Sequence, residues 1–262
     1  MISISSAELN GWLGAVLWPL TRVLATLSTA PMLGSQKIPA PIKIGLALLL
    51  TVAIVPTLDP APQIDPASGA GLLVLVNQVL IGVAMGFAMQ LVFTAVEMAG
   101  DLAGLQMGLG FAMFYDPQQQ GQSALIGQFL GLLATLVFLS LNGHLLIVSA
   151  LVESFRTLPI SSAALSAFGW NAIAAFGARI FVTALFMSLP IIVTLLIVNL
   201  ALGVLTRAAP QLNIFAIGFP ITLTVGLVLL LVALPHLMPQ FERLFQDGLA
   251  TMAQVATFAR PR

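Results

Sequence analysis

The sequence predicts an all-α integral membrane protein built from long, kinked helices in hairpins, and two observations carry that prediction. Hydrophobic residues make up 59% of the chain and charged residues only 7%, with a mean hydropathy of +1.07, whereas about a quarter of a soluble domain is charged. Stretches free of Asp, Glu, Lys and Arg run from Ile44 to Leu58, Pro66 to Val96, Pro117 to Val152, Ile180 to Thr206 and Ala208 to Phe241. Most exceed the roughly 20 residues that cross a hydrocarbon core, and hydropathy gives about six candidate helices at membrane level.

The amino terminus, MISISSAELNGW, has no basic region and no small-residue cleavage site. No removable signal peptide is read there, so the first hydrophobic helix is expected to target the chain. That helix starts near Ser5 or Ser6, plausible N-caps with Glu8 in the first turn, and is expected to end at about Ala30, where STAPMLGSQKIPAPIK brings three prolines and a glycine. A second helix is expected from about Ile42 to Leu58. PTLDPAPQIDPASGAG then reads as a solvent-facing linker, because proline, small residues and two aspartates gather there. No proline lies between Pro66 and Pro117. A continuous helix from Gly71 to Tyr115 would be about 67 Å long against a hydrocarbon core of about 30 Å, so it must break or leave the bilayer.

Pro117 and the polar QQQGQS mark an exposed turn, and Ala124 to Phe155 reads as another long helix ending near RTLPISS. An apolar pair follows, about Ala172 to Ala208 and Ile214 to Leu237, divided by RAAPQLN. Pro190, Pro220, Pro235 and Pro239 are expected to kink or end these helices. The tail from Phe241 to Phe258 reads as an amphipathic helix before a short basic end.

Several function classes have no support. The chain contains no cysteine, which removes disulfides, thiol nucleophiles and thiolate metal sites. Zero formal net charge with scattered basic residues offers neither a stripe for nucleic acid nor a polybasic anchor. His144, in LNGHLLIV, has no second histidine or acid at metal spacing and reads as a hydrogen-bonded packing residue; Asn142 and Asn199 read as interhelical hydrogen bonders. No cofactor is implied, and no nucleophile with its base, phosphate loop or dinucleotide fingerprint makes a case for an enzyme. Positive charges do not settle topology: in a six-span arrangement Lys37, Lys43 and Arg207 fall on one side and Arg243, Arg260 and Arg262 on the other. That conflict argues against simple spanning.

The informative stretch is AGDLAGLQMGLGFAMFYDP, from Ala99 to Pro117. At 100° per residue, Gly82, Gly86, Gln90, Thr94, Glu97, Gly100, Asp101, Gly104 and Gly108 fall on one face, a small-and-polar stripe of about seven turns. Glycines four apart let another helix approach closely, so the stripe is expected to be an interface, within this chain or with another subunit. Glu97 and Asp101 sit one turn apart on it and need partners. Arg22 or Arg179, the other charges embedded in apolar helix, would supply them in a buried charge network; the competing readings are a proton-coupling pair in a secondary transporter and exposure to an aqueous lumen. Met107, Phe111, Met113 and Phe114 offer soft apolar surface, while Gly108 and Gly110 loosen the backbone. That chemistry suits either a yielding seal or ordinary packing.

The chain resembles the FliR family, the R subunit of the flagellar type III protein-export gate, whose injectisome counterpart is SctT. The resemblance covers nearly the whole chain. It is carried by WPLTRVLATLSTAP (Trp18 to Pro31), Ile38, Pro39 and Lys43, AGDLAGLQMGLGFAMFYDP, LNGH (Leu141 to His144), RTLPI (Arg156 to Ile160) and NLALGVLTRAAPQLNIFAIGFPITLTVG (Asn199 to Gly226). It implies one copy of this subunit in a helical assembly with P and Q subunits (FliP, FliQ), to which the B subunit (FlhB) docks, in the bacterial inner membrane at the flagellar basal body. Unfolded flagellar proteins would thread through its centre. It also implies a P-subunit-like part over residues 1–175 and a Q-subunit-like hairpin with the C-terminal tail over 176–262. By the same resemblance, 106–116 corresponds to the plug across the pore, with Gln106, Met107, Gly108, Gly110, Phe111, Met113, Phe114 and Tyr115 as its residues. The acidic position before GLQMG is Asp101, one methylene shorter than the glutamate of some relatives.

Overall fold

In the computed structural model, residues 6–59, 62, 64–111, 125–162, 167–209 and 214–258 are described. All regular structure among them is helical: α1 (Ser6–Thr29), α2 (Ala40–Ile54), α3 (Gly69–Gln106), α4 (Leu125–Ser140), α5 (Gly143–Thr157), α6 (Ala167–Ala208) and α7 (Ile214–Phe258), with 3₁₀ turns at Val55–Thr57 and Leu109–Phe111. The all-α membrane fold is what the composition predicted. Among the described residues, four helices are long and apolar enough to cross a membrane, or five if the bent pair α4 and α5 counts as one span. The sixth candidate was α1, which is diluted by Arg22 and by Thr21, Thr26 and Thr29.

Two expectations from the sequence are corrected. The helix expected across Ala124 to Phe155 is two, bent by 67°. Asn142 sits there in the left-handed region (φ 55°), its carbonyl accepting from the amides of Leu145 and Leu146 to open α5. Asn142 therefore acts through its backbone, which few residues other than glycine and asparagine adopt readily. The second correction concerns the carboxy-terminal end: α7 is one helix of 45 residues, and Pro220, Pro235 and Pro239 lie inside it, so the tail is no separate element. Pro190 likewise lies inside α6. Prolines are tolerated in such helices where local adjustment satisfies the carbonyl four residues earlier that loses its N–H donor; the prolines' own carbonyls accept further side-chain bonds, Pro190 from Thr194 at 2.8 Å and Pro220 from Thr224 at 2.7 Å.

α3 runs for 38 residues, about 57 Å at 1.5 Å per residue, and stops at Gln106. The overlong segment therefore breaks where its glycines cluster, with Gly108 at φ 87°. The chain forms two compact units, one of 1–91, 142–177 and 245–262, the other of 92–141 and 178–244. Each of α3, α6 and α7 contributes to both. The first unit buries Ala84, Ile173 and Val255 with Leu91 packed against them; the second includes an edge-on pair of rings, Phe93 and Phe138, with centroids 5.5 Å apart.

Candidate functional site

The glycine stripe of α3 serves two contacts, one in each unit. In the first, Gly82 and Gly86 lie against α1: a Cβ on Gly82 would come 2.5 Å from the Arg22 carbonyl oxygen and 2.7 Å from Ala25 Cβ, and one on Gly86 would meet Thr29 Oγ1 and come 2.6 Å from the Thr26 carbonyl. Two of these four atoms, the Arg22 and Thr26 carbonyl oxygens, are backbone and Ala25 Cβ is fixed to it, so the close approach of the two helices requires glycine. Thr29 donates across the contact to the Val83 carbonyl at 3.4 Å.

In the second unit, the stripe meets α4. A Cβ on Gly100 would come 2.6 Å from Gly127 Cα, whereas at Gly104 the nearest atom, Ile126 Cγ1, lies at an ordinary 3.5 Å. The two carboxylates occupy the notches that α4 glycines leave. Asp101 Oδ1 lies on Gly127, and Glu97 Oε1 is 2.9 Å from where a Gly131 Cβ would be. Pairs spaced four apart on each helix thus interlock, acid into glycine. Asp101 Oδ1 is buried with no hydrogen-bond partner, while Glu97 is exposed in this chain. Gln90 and Thr94 lie on the same helix between the two contacts.

Arg22 does not supply the counter-charge expected for these acids. It is fully buried, and its fork is used on neutral acceptors: Nε donates to Gln78 Oε1 at 2.8 Å, Nη1 to the Ser154 carbonyl at 3.0 Å and Oγ at 3.2 Å, and Nη2 to the Leu158 carbonyl at 3.0 Å. Its guanidinium also stacks 4.2 Å from the Phe155 ring centroid. Arg22 therefore caps the C-terminus of α5 and joins it to α1 and α3, placing positive charge where the helix dipole favours it. Arg179 is exposed. Among the described residues the ion pair is Arg156 with Glu153, 3.6 Å apart on the surface of α5. His144 is exposed rather than packed.

At the end of α3, Met107 is completely buried. Its amide completes the helix by donating to the Ala103 carbonyl. Its own carbonyl accepts from Thr222 Oγ1 of α7 at 3.2 Å, and its side chain lies over Gly226, where a Cβ would meet Cγ and come 2.7 Å from Cε. Gln106, Gly108 and Gly110 are half-buried around this turn, and Phe111 ends the following 3₁₀ turn. Met113, Phe114 and Tyr115 lie outside the described residues. Sequence reasoning missed Thr222 and Gly226; their four-residue spacing inside FPITLTVG is the one signal that pointed to a contact face.

The sequence model of the family described as "Bacterial export proteins, family 1" matches residues 13–248. Among curated proteins, the chain is 44% identical over 255 residues to "Flagellar biosynthetic protein FliR" of Escherichia coli (strain K12), covering 97% of each chain. It is 44% identical to the protein of that name from Pectobacterium carotovorum subsp. carotovorum, over 98% of each. With that of Bacillus subtilis (strain 168) it shares 33% identity over 91% of this chain and 93% of the relative.

Proposed function

This chain belongs to the FliR family of bacterial export proteins, and from that premise we propose that it is the single-copy R-type subunit of the flagellar type III export gate. In this reading it forms the closed channel core together with FliP and FliQ, FlhB docks on the assembly, and unfolded flagellar proteins pass through it. The P-like part is residues 1–175 and the Q-like hairpin 176–262. The assembly sits in the bacterial inner membrane at the flagellar basal body. Its role is structural and gating rather than enzymatic.

The observation that carries the gating role is the place where α3 stops. One helix continues through the acid-and-glycine motif, ends at Gln106, and turns at left-handed Gly108 into the segment rich in methionine and phenylalanine. A channel wide enough for a polypeptide must block ions at rest, and a compliant apolar constriction does so by dewetting. Residues 106–116 are proposed to be that constriction. The helices also leave apolar faces uncovered, with Phe181 and Phe186 67% and Leu231 68% exposed, which suits burial against hydrophobic subunits and lipid.

An ion-coupled secondary transporter using Glu97 and Asp101 has less support, because Asp101 Oδ1 is buried in helix packing on Gly127, although Glu97 beside Gly131 stays exposed. Replacing 106–116 with a Gly/Ser linker tests the gate. Resting membranes carrying the assembled complex are expected to leak ions; unchanged ion permeability with the complex assembled refutes the plug.

A further inference from the structure

We infer that Thr222 and Gly226 of α7 form a two-point latch that holds the root of the gate segment closed at Met107, so that opening requires Met107 to leave α7. The inference rests on the reading of 106–116 as the gate and adds the residues that position it. All the atoms involved lie within one compact unit, 92–141 with 178–244.

Two contacts of different chemistry hold the same residue. The Thr222 hydroxyl reaches the Met107 carbonyl at 3.2 Å while also donating to the Phe219 carbonyl at 3.1 Å, so the hydroxyl stays satisfied whether or not Met107 is present. One turn further along α7, Gly226 leaves a notch in which the methionine side chain lies: a Cβ there would meet Cγ, Cε and Sδ together. No rotation of the thioether tip alone would make room. Both groups are buried, Met107 completely and Thr222 to 6% exposure. The carbonyl that Thr222 binds belongs to the first residue after α3, and the next residue is Gly108 at φ 87°, a backbone position that only glycine adopts freely. A fixed anchor followed at once by a swivel is the arrangement a hinged segment needs. Opening costs one neutral hydrogen bond at the Met107 carbonyl, while the Thr222 hydroxyl keeps the Phe219 carbonyl as its acceptor and the apolar thioether leaves no polar group behind. Met107 is then a positioning residue at the hinge, distinct from the bulky residues beyond it.

The chain's lack of cysteine allows a direct test. The double variant Met107→Cys/Gly226→Cys is placed in the complete gate complex. Mild oxidation by copper-phenanthroline and dioxygen takes two protons and two electrons from the paired thiols. An internal disulfide is expected to form, to stop export by at least tenfold while membranes stay ion-tight, and to be reversed by dithiothreitol, with each single variant unaffected by oxidant. Failure of the disulfide to form in the assembled complex, or export at the unoxidised rate once it has formed, overturns the latch. Thr222→Val, which preserves volume, covers the case in which the glycine variant does not assemble. It removes one neutral hydrogen bond from the closed state and is expected to raise resting ion leak about fivefold; an unchanged leak also overturns the latch. The linker replacement of 106–116 is measured beside them. If it leaks while the latch variants do not behave as expected, the latch is wrong and the gate stands; if it does not leak, the gate reading falls and the latch with it.

Discussion

Replacing Gly100 by alanine tests the packing of α3 on α4 at the point where the acids interlock with glycines. The added Cβ would sit 2.6 Å from Gly127 Cα and 2.7 Å from both Gly127 N and the Ile126 carbonyl oxygen. Carbon atoms in contact prefer about 3.5–4.0 Å, so the helices must part by roughly 1 Å. All three obstructing atoms are backbone, so no rotamer change relieves the overlap. Overpacking of this kind costs about 1–3 kcal/mol, a fall in melting temperature of about 2–12 °C for a chain of this size. The helix propensity of alanine over glycine recovers up to about 1 kcal/mol, which leaves a net loss. Gly203 of α6 is the control, since nothing lies within 4 Å of its added Cβ; Gly203→Ala is expected to be neutral or stabilising by up to about 1 kcal/mol. Thermal unfolding of the purified chain in mild detergent reads both. Gly100→Ala as stable as the parent, or equal losses at both positions, would refute the reasoning.

Three further substitutions probe other contacts. Arg22→Met takes the arginine donors from Gln78 Oε1 and the Leu158 carbonyl in a buried site, while the Ser154 carbonyl keeps the Leu158 amide; at about 1–3 kcal/mol for each of the two lost partners the level of folded protein in membranes should fall sharply, and Arg22→Lys should recover only part of it. Asn142→Gly should keep or slightly raise stability because φ is 55° there, while Asn142→Val should lose about 1–2 kcal/mol; chemical denaturation of the purified chain distinguishes them. Asp101→Asn should lower co-purification of partner subunits more than it alters proton dependence of export, because Oδ1 is packed on Gly127. Normal assembly with lost proton dependence would instead favour the coupling role.

Local features were legible in the sequence, and contacts between distant positions were not. Charge-free runs gave the helices, the proline-rich linker fell before α3, and the glycines around Met107 marked its end. The bend at Asn142 was also available, since Asn-Gly is a turn signal, but the apolar sequence on both sides read as one helix. Internal prolines misled in the other direction, because a break at Pro239 depends on whether neighbouring groups satisfy the backbone, and the helical state won. Arg22 shows the deeper limit. Its partners Gln78 and Ser154 lie 56 and 132 positions away, and neutral acceptors with a helix C-terminus took the place that charge complementarity assigned to Glu97 and Asp101. Met107 was recognised as soft apolar surface, yet its seat on Gly226 depends on a contact 119 positions away, which no local pattern encodes.

Native mass spectrometry of this protein, affinity-tagged and extracted from its own membranes in mild detergent, tests the central claim most directly. One copy bound to several copies of smaller hydrophobic subunits is the result expected of an export-gate core. A lone chain or a homodimer under the same conditions would contradict it.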